Sequence, residues 1–434
     1  MRRWTVRVAV CALALLGAMA VQAQDRQLDP LLELLVEQGV ITLEQALAVQ
    51  AEYDRRREAE NNLRVIPPEP SLPQAETAPA APVGTGAAAD EAWYERFDFR
   101  GDLRLRSEFF WVEGIAPNDR RERFRLRFRP GMSTDITDWL EVGFQLRSGD
   151  PDDPVSDNES FDGGFSLKAI SISEAYAAVH PDDRFELTLG KFDPKKRWVV
   201  TDMQWDDDVT VEGAMQVLEL GRFQTSLYQF ILEESGSSRD AYMLGGQLHG
   251  SFGSEASGIL TVGVGFDSWI RPQMIVDRTL SGSLKGNRVT NLLDGGDVLV
   301  SDFDIANAFV TWSWKKSDRW PVKLSLFGYL NTGAEDLGTD YDTAYFVRLQ
   351  VGDYKRKGQM MFRASRYYSE PDALFYVFAQ SDTTMASDVD GYRLDFRLGC
   401  VKKSFFNLTW YHTKPVYAFV PTMDRLQVDY IIEF

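Results

Sequence analysis

The chain ends in the stretch Leu426-Gln427-Val428-Asp429-Tyr430-Ile431-Ile432-Glu433-Phe434. Apolar side chains occupy every second position of this stretch, and polar side chains fall between them, with Ile431 as the exception. A period of two is that of a β-strand with one apolar face, because successive side chains of a strand point to opposite sides. Soluble β proteins also contain such strands, so the stretch decides the fold only if its pattern recurs.

The same alternation does recur, beginning near residue 97. The first predicted strand carries Phe97, Phe99, Leu103 and Leu105 on one face and Asp98, Arg100, Asp102, Arg104 and Arg106 on the other. Further strands are predicted near residues 123–129, 140–147, 167–180, 184–192, 209–219, 223–233, 240–252, 257–268, 302–314, 320–331, 340–354, 358–368, 389–400, 405–413 and 424–434. The total is about sixteen, and an even number lets both ends of a closed barrel lie on one side.

A strand with one apolar and one polar face suits a transmembrane barrel, whose outside meets lipid and whose inside meets water. The connections support this interpretation. Short turns are predicted after even strands, at Thr134–Asp138, Pro181–Asp183, Gly253–Glu255 and Lys316–Arg319. Longer polar stretches follow odd strands, at 149–166, 193–208, 269–301 and 369–388. We therefore predict an all-β fold, a transmembrane antiparallel β-barrel of about 16 strands over residues 93–434.

The N-terminus has the features of a secretion signal. Two arginines at positions 2 and 3 precede an apolar run of about 14 residues, which is too short to span a bilayer but typical of a signal-peptide core. The small residue Ala23 marks a plausible cleavage site, so residues 1–23 are predicted to be a signal peptide. Its removal would leave Cys400 as the single cysteine, which excludes an internal disulfide.

Two further segments precede the predicted barrel. Residues 24–60 are predicted to be helical, because Asp29-Pro30 suits a helix start and Thr42–Gln45 forms a capping box. This unit is either a self-packed helical hairpin or a coiled-coil segment that docks or oligomerises in the periplasm. Residues 61–92 are rich in proline, alanine and glutamate and are predicted to be a disordered linker.

Composition limits the function. The net charge of −18 argues against nucleic acid as a partner. The aromatic content of 12% suits the girdles that barrels place at both membrane interfaces. On the periplasmic side we assign Trp139, Trp320 and Phe405 to such a girdle, and on the outer side Trp111, Tyr329, Tyr367, Tyr368 and Tyr411. An aromatic sugar track is the alternative interpretation.

Arginines dominate the polar faces of the first three predicted strands. They are Arg100, Arg104, Arg106, Arg123, Arg125, Arg127, Arg129 and Arg147. Each would cost about 2–4 kcal/mol on the lipid side at the bilayer midplane, so all should point inward. Adjacent strands lie ~4.8 Å apart, and the eight would therefore form one pore-lining cluster. The alternative is that Asp98, Asp102, Glu108 and Glu141 neutralise them and that they merely fill the barrel.

Other chemistry is poorly supported. Carboxylates cluster after the third strand, at Asp150, Asp152, Asp153, Asp157, Glu159 and Asp162, but their spacing is not that of an EF-hand calcium loop, and a solvated loop is the simpler interpretation. His180, His249 and His412 lack a neighbouring nucleophile motif, and neither HExxH nor CxxC occurs. We predict no enzyme, no cofactor and no metal site.

The order of these parts resembles the putative porins of Gram-negative bacteria, a family allied to phosphate-selective porins. The similar stretches are 34–42, 174–176, 189–192, 205–207 and 211–214. The terminal Phe434 also resembles the sorting signal that the barrel assembly machinery of the outer membrane reads. The resemblance implies an outer-membrane location with the N-terminal segment in the periplasm. It implies no particular solute.

The loop near residues 193–208 occupies the position of the third long loop of general porins. That loop folds into their barrel, where its acids face an arginine cluster. The resemblance implies a constriction loop with basic residues Lys195, Lys196 and Arg197 and acidic residues Asp202, Asp206, Asp207 and Asp208. The alternative is an ordinary acidic loop outside the barrel.

We therefore expect an outer-membrane porin for passive diffusion of small hydrophilic solutes. Anion preference is expected, because arginines close to the path act through a lower dielectric than distant loop charges. A phosphate-selective porin is one alternative. It would require basic residues along the whole path, whereas here they crowd into strands 1 to 3 only. A non-conducting adhesin or envelope scaffold is the other. The expected partners are outer-membrane lipid, lipopolysaccharide, the barrel assembly machinery and two further copies in a homotrimer.

Overall fold

In a computed structural model, residues 96–114, 120–236, 239–279, 286–292, 296–315, 317–336, 338–339 and 341–434 are described. The predicted signal peptide, helical segment and linker lie outside these residues. The described part is a closed antiparallel barrel of sixteen long strands. They are β1 (Asp98–Val112), β2 (Glu122–Thr137), β3 (Leu140–Ser148), β4 (Ile170–Asp182), β5 (Phe185–Phe192), β6 (Val211–Leu220), β7 (Phe223–Glu233), β8 (Ala241–Ser254), β9 (Gly258–Ile270), β10 (Phe303–Trp314), β11 (Val322–Asn331), β12 (Thr343–Gly352), β13 (Met360–Ser369), β14 (Val389–Val401), β15 (Ser404–Lys414) and β16 (Met423–Glu433). The predicted fold is confirmed.

The barrel closes between its first and last strands. In the β1–β16 ladder Leu105 lies opposite Tyr430, and beyond it Gly101 and Phe434 exchange backbone hydrogen bonds of 3.1 and 3.0 Å. Glycine is required at position 101, because a Cβ there would lie 2.3 Å from the carbonyl oxygen of Arg129. The C-terminal stretch therefore completes the sheet and removes its open edges.

The two faces of the strands differ as the period-2 pattern predicts. Large apolar side chains such as Leu105, Phe124 and Val428 remain exposed on the outside. Polar side chains such as Arg106 and Glu108 are buried on the inside. A soluble protein would not leave so many large apolar residues uncovered, whereas a membrane barrel presents them to lipid.

The aromatic assignments are partly wrong. Trp139 and Trp320 are exposed near short turns, as a girdle requires. Four other predicted girdle residues are buried inside the barrel, namely Tyr329, Tyr367, Tyr411 and Phe405. They lie near strand ends, but they share the face of inward polar residues such as Ser365 and Thr409, and the face determines where a side chain points.

The connections have the predicted asymmetry in length. Several strands continue into predicted turns: β2 runs to Thr137, so that only two residues separate it from β3. The long segments after odd strands contain a two-residue strand at Glu159–Ser160, 3-10 turns at Pro194–Lys196 and Tyr376–Phe378, the helix α1 (Gln273–Thr279) and a hairpin of Val289–Leu292 with Gly296–Leu299. Within the described residues, no helix is long and apolar enough to cross a membrane.

Candidate functional site

The loop of residues 193–210, which connects β5 to β6, lies inside the barrel. Its residues Met203 and Trp205 are fully buried. Its Asp202 is bonded to Arg348 of β12 and Arg393 of β14, while Trp198 packs against Tyr228 of β7. Contacts with strands on different sides of the barrel mean that the loop crosses the lumen and has two different faces.

One face of the 193–210 loop is apolar. The ring centroids of Trp198 and Trp205 lie 5.2 Å apart, and Trp205 lies 5.2 Å from Phe378 of the 370–388 loop. These rings join a buried cluster with inward residues of β6 to β12, including Tyr228, Phe230, Trp269, Phe303 and Phe346. Among the described residues, these packed apolar side chains fill this half of the lumen. Any passage must therefore lie on the other side of the loop.

The other side of the lumen is lined by basic residues. The eight arginines predicted on strands 1 to 3 are placed on β1, β2 and β3, with their guanidinium groups inside the barrel. Their ion pairs are Arg100–Glu174 (2.9 Å), Arg106–Asp429 (2.6 Å), Arg123–Glu108, Arg127–Asp102 (2.9 Å), Arg129–Asp102 (2.6 Å) and Arg147–Asp157 (2.7 Å). Arg104 and Arg125 hydrogen bond to Asn158 and Ser156, at 2.6 and 3.0 Å, and their carboxylate partners are more distant, Asp208 at 4.0 Å and Glu108 at 3.9 Å. Their role in selecting solutes stays a prediction.

Two of the four acids expected to neutralise these arginines do so. Asp102 and Glu108 are buried and bonded to guanidinium groups. Asp98 is exposed at the start of β1, and Glu141 accepts a 2.6 Å hydrogen bond from the hydroxyl of Tyr176. Much of the neutralising charge comes instead from loops and from β16.

Six further basic residues line the same side of the lumen, so the expectation that basic residues crowd into strands 1 to 3 is wrong. Closure of the barrel brings β16 next to β1, so strands late in the chain extend the same wall. The added basic residues are Lys323, Arg348, Arg363, Arg393, Arg397 and Arg425. Each of these residues lies on the same face of its strand as neighbouring polar residues, and this alternation is the sequence pattern that indicates an inward position. We use the name basic wall for these six together with the eight predicted arginines.

Two aspartates of the 193–210 loop face the basic wall. Asp208 lies 2.8 Å from Arg127 and 3.3 Å from Arg129. Burial alone would raise the pKa of Asp208, but these guanidinium groups and that of Arg104 outweigh burial and hold it below its usual range. The pKa of Asp202 is likewise lowered, because Arg348 and Arg393 outweigh the effect of burial. Both carboxylates are therefore charged at neutral pH.

Asp206 and Asp207 differ from these two. Asp206 accepts backbone hydrogen bonds from Asp208 and Ser381, each 3.0 Å long, and so joins the loop to the 370–388 loop. Burial, together with the nearby charges of Asp208 and Asp382, raises the pKa of Asp206 well above its usual range. Asp207 is exposed. One loop thus carries neighbouring carboxyl groups whose pKa values are shifted in opposite directions.

The basic residues of the loop lie at its start, where Lys196 shares Tyr176 with Arg100 of the basic wall, whose Nη2 donates to the Tyr176 hydroxyl at 3.3 Å. Arg197 pairs with Glu186 at 2.6 Å and Glu219 at 2.9 Å, on β5 and β6. Lys195 pairs with Asp193 at 3.0 Å, and the Lys196 ammonium lies 5.7 Å from the ring centroid of Tyr176. Arg197 therefore anchors the start of the loop to the adjacent strands, whereas Lys195 donates to the carbonyl oxygen of Val209 at 2.9 Å and so joins the two ends of the loop.

The acidic cluster after β3 also contributes an ion-paired carboxylate inside the barrel. Asp157 bonds to Arg147 at 2.7 Å and to Arg129 at 3.2 Å. Burial and the charge of Asp208 raise its pKa to about 6, against the opposing effect of Arg129 and Arg147. In the described part of the chain, no group of three or more His, Cys, Asp or Glu residues is arranged to hold a metal ion.

A polar cavity of about 340 Å³ remains between the 193–210 loop and the basic wall. Charged and amide side chains line it, among them Arg104, Arg397, Asp207, Gln380, Asn407 and Glu433. Because these groups come from β1, β14, β15, β16 and two loops, the cavity depends on the closed barrel. Its lining is hydrophilic, as a water-filled passage requires.

Two solved structures are similar to this chain, and the first of them supports the barrel fold. In a high-pH structure, OprB of Pseudomonas putida aligns with a TM-score of 0.51 at 12% identity, over 78% of this chain and 94% of that one. A loop-deletion mutant of OmpT, an outer-membrane protein of Vibrio cholerae, aligns with a TM-score of 0.45 at 10% identity, over 78% and 99% of the two chains. No curated protein matches. Residues 115–267 match a family model described as putative porin, which confirms the predicted resemblance over that part of the chain.

Proposed function

We propose that the protein is an outer-membrane channel through which small hydrophilic solutes diffuse passively. The observation that carries this proposal is the 193–210 loop, which packs its apolar face into one half of the lumen and leaves a polar cavity beside the basic wall. A barrel that served only as a scaffold would have no need for a charged inner passage. The match of residues 115–267 to the putative porins supports the same function.

Anion preference is part of the proposal. The basic wall contains more cations than the acids that pair with them, which are Asp102, Glu108, Asp157, Glu174, Asp202, Asp208, Asp382, Asp395 and Asp429. One acid, Glu108, is shared by four of these cations, and among the described residues Lys323 and Arg397 have no carboxylate within 4.0 Å. Their field acts at short range, whereas salt screens the acidic loops outside.

An oxyanion-selective channel is the second candidate. The observation that favours it is the extent of the basic wall, which runs from β11 through the closure to β3. A row of arginines can pass a phosphate from one guanidinium group to the next, because each guanidinium group can bind an oxyanion with two hydrogen bonds. Conductance measured in phosphate and in chloride would separate this candidate from a general channel.

The rest of the chain is included in the proposal. Residues 1–23 are a signal peptide, residues 24–60 a periplasmic helical segment and residues 61–92 a linker. The chain inserts into the outer membrane through the barrel assembly machinery, which reads Phe434. It forms a homotrimer among lipid and lipopolysaccharide.

The test is conductance of the mature protein in a planar lipid bilayer under a KCl gradient. We expect stepwise openings and a reversal potential closer to the equilibrium potential of chloride than to that of potassium. Arg125→Gln should reduce this preference, because Arg125 bonds to Ser156 and lies 3.9 Å from its closest carboxylate, Glu108. Arg319→Gln on an exposed turn is the control.

Two results would contradict the proposal. A silent bilayer with correctly folded protein would favour the adhesin or scaffold alternative. Openings with a preference for potassium would support the channel function but exclude anion preference. The acidic loops, and not the basic wall, would then determine ion selectivity.

A further inference from the structure

The polar cavity contains charged side chains of both signs that lack a close partner of opposite charge. Most of its charges are used in pairs: Asp102 with Arg127, and Asp429 with Arg106. Such pairs hold strands and loops together and present little net charge to a solute. The charges without a close partner therefore decide what binds.

Two of these side chains are cations. Arg104 bonds to Asn158, its nearest carboxylate oxygen is 4.0 Å away on Asp208, and its buried Nε has no hydrogen-bond partner within the described residues. Arg397 donates to the side-chain oxygen of Asn407 at 3.1 Å and to the hydroxyl of Tyr354 at 2.8 Å. Among the residues that the structure describes, no carboxylate lies within 4.0 Å of Arg397. A buried guanidinium nitrogen without an acceptor favours an anionic ligand.

Two of these side chains are anions. Asp207 is exposed between Asp206 and Asp208, whose carboxyl groups are already bonded. Glu433 lies at the periplasmic end of β16, where its backbone N–H bonds to the carbonyl of Lys403. In the described part of the chain, neither carboxylate has an ion pair. Both line the same cavity as Arg104 and Arg397.

We propose that this cavity binds small zwitterionic solutes, which carry a carboxylate and an ammonium group together. Arg104 and Arg397 hold the carboxylate, and Asp207 and Glu433 hold the ammonium group. A simple anion would satisfy the two arginines but would meet two uncompensated carboxylates, and a simple cation would meet the reverse. The proposal rests on the channel function and names its substrate class.

The test is uptake of isotopically labelled three-carbon solutes into proteoliposomes that contain the mature protein. Alanine is the zwitterion, lactate the anion and lactamide the neutral solute of similar size. Alanine should enter faster than either. Arg397→Gln and Asp207→Asn should each reduce the ratio of alanine uptake to lactamide uptake about twofold to fivefold, as expected for partly exposed ion pairs.

Controls separate this inference from the channel function. Asp183→Asn and Arg184→Gln, on the periplasmic turn outside the cavity, should change nothing, and Arg397→Lys should keep the preference for alanine. Equal uptake of alanine and lactamide, or faster uptake of lactate, would overturn the proposed zwitterion site but would remain consistent with the channel function. Uptake of none of the three by a folded barrel would overturn both.

Discussion

Asp202 and Arg348 join the 193–210 loop to the basic wall at β12, where Nη2 of Arg348 lies 2.8 Å from both carboxylate oxygens of Asp202. Arg393 and the hydroxyl of Tyr367 each donate to the same carboxylate at 2.8 Å. The other face of the loop is packed into the apolar cluster around Trp205. The loop is therefore fixed on two sides, and its position determines how wide the polar passage is.

The first prediction concerns this contact. Asp202→Asn leaves Arg348 without a carboxylate within 4.0 Å among the described residues, while Arg393 keeps Asp395 at 2.8 Å. Leaving a buried charge unpaired typically costs about 3–5 kcal/mol. We expect the free energy of unfolding in detergent micelles to fall by this amount. The single-channel conductance should rise, because the loop is held less firmly. Asp183→Asn on an exposed turn is the control, and an unchanged conductance in Asp202→Asn would show that the loop is fixed by its apolar face alone.

The second prediction concerns Asp208. Its carboxylate is charged and lies between Arg127, Arg129 and Arg104, so it cancels part of the field of the basic wall. Asp208→Asn should raise the permeability of chloride relative to potassium about twofold to fivefold, since an effective dielectric of about 20, which applies even to buried sites, weakens the field of a single charge. The reversal potential in a KCl gradient measures this. A shift toward potassium would show that another charge controls selectivity.

The third prediction concerns the filled half of the lumen. Trp205 is buried between Trp198, Trp269 and Phe378, with ring centroids 5.2, 6.2 and 5.2 Å away. Trp205→Ala should lower the free energy of unfolding by about 3–5 kcal/mol through lost burial and a residual cavity. Phe406→Ala on the lipid-facing side is the control for an aromatic residue outside this cluster. Equal loss in both variants would contradict a packed core inside the barrel.

The strands could be predicted because a period of two is a local property. Each inward arginine of β2 alternates with an apolar residue, so Arg127 was placed on the correct face from its neighbours alone. The boundaries of β7, at Phe223–Glu233, also agree with the prediction. The predicted strand ends are less accurate where a turn residue continues the pairing with the next strand, as Thr137 of β2 does with Leu140 of β3.

The pairs within the site could not be predicted, because they depend on contacts between distant parts of the chain. Asp202 and Arg348 are separated by 146 positions, and Arg106 and Asp429 by 323. Only closure of the barrel brings β16 beside β1 and so extends the basic wall. The wrong assignment of Tyr367 and Tyr411 has another cause: a position near a strand end places an aromatic residue in a girdle only if its side chain is also on the outward face, and both point inward.

The fourth prediction concerns the dependence of stability on pH. The pKa of Asp157 is about 6 in the folded protein, because burial and Asp208 outweigh Arg129 and Arg147, whereas an unfolded aspartate has a pKa of about 3.9. Between these values the folded state binds more protons than the unfolded state. The contribution of Asp157 to the free energy of unfolding therefore falls as pH rises from about 4 to 6, and is lower above that window.

Asp157→Asn should remove this contribution. A shift of about two pKa units corresponds to about 2–3 kcal/mol, so the stability of the wild type relative to the variant should fall by this amount between pH 4 and pH 7. Denaturant unfolding in micelles at several pH values measures the difference. Asp208 and Asp202 do not titrate in this window because their pKa values are lowered. Asp152→Asn, an exposed neighbour, should show no such trend, and a difference for Asp157→Asn that stays constant with pH would mean that its carboxyl group is charged throughout.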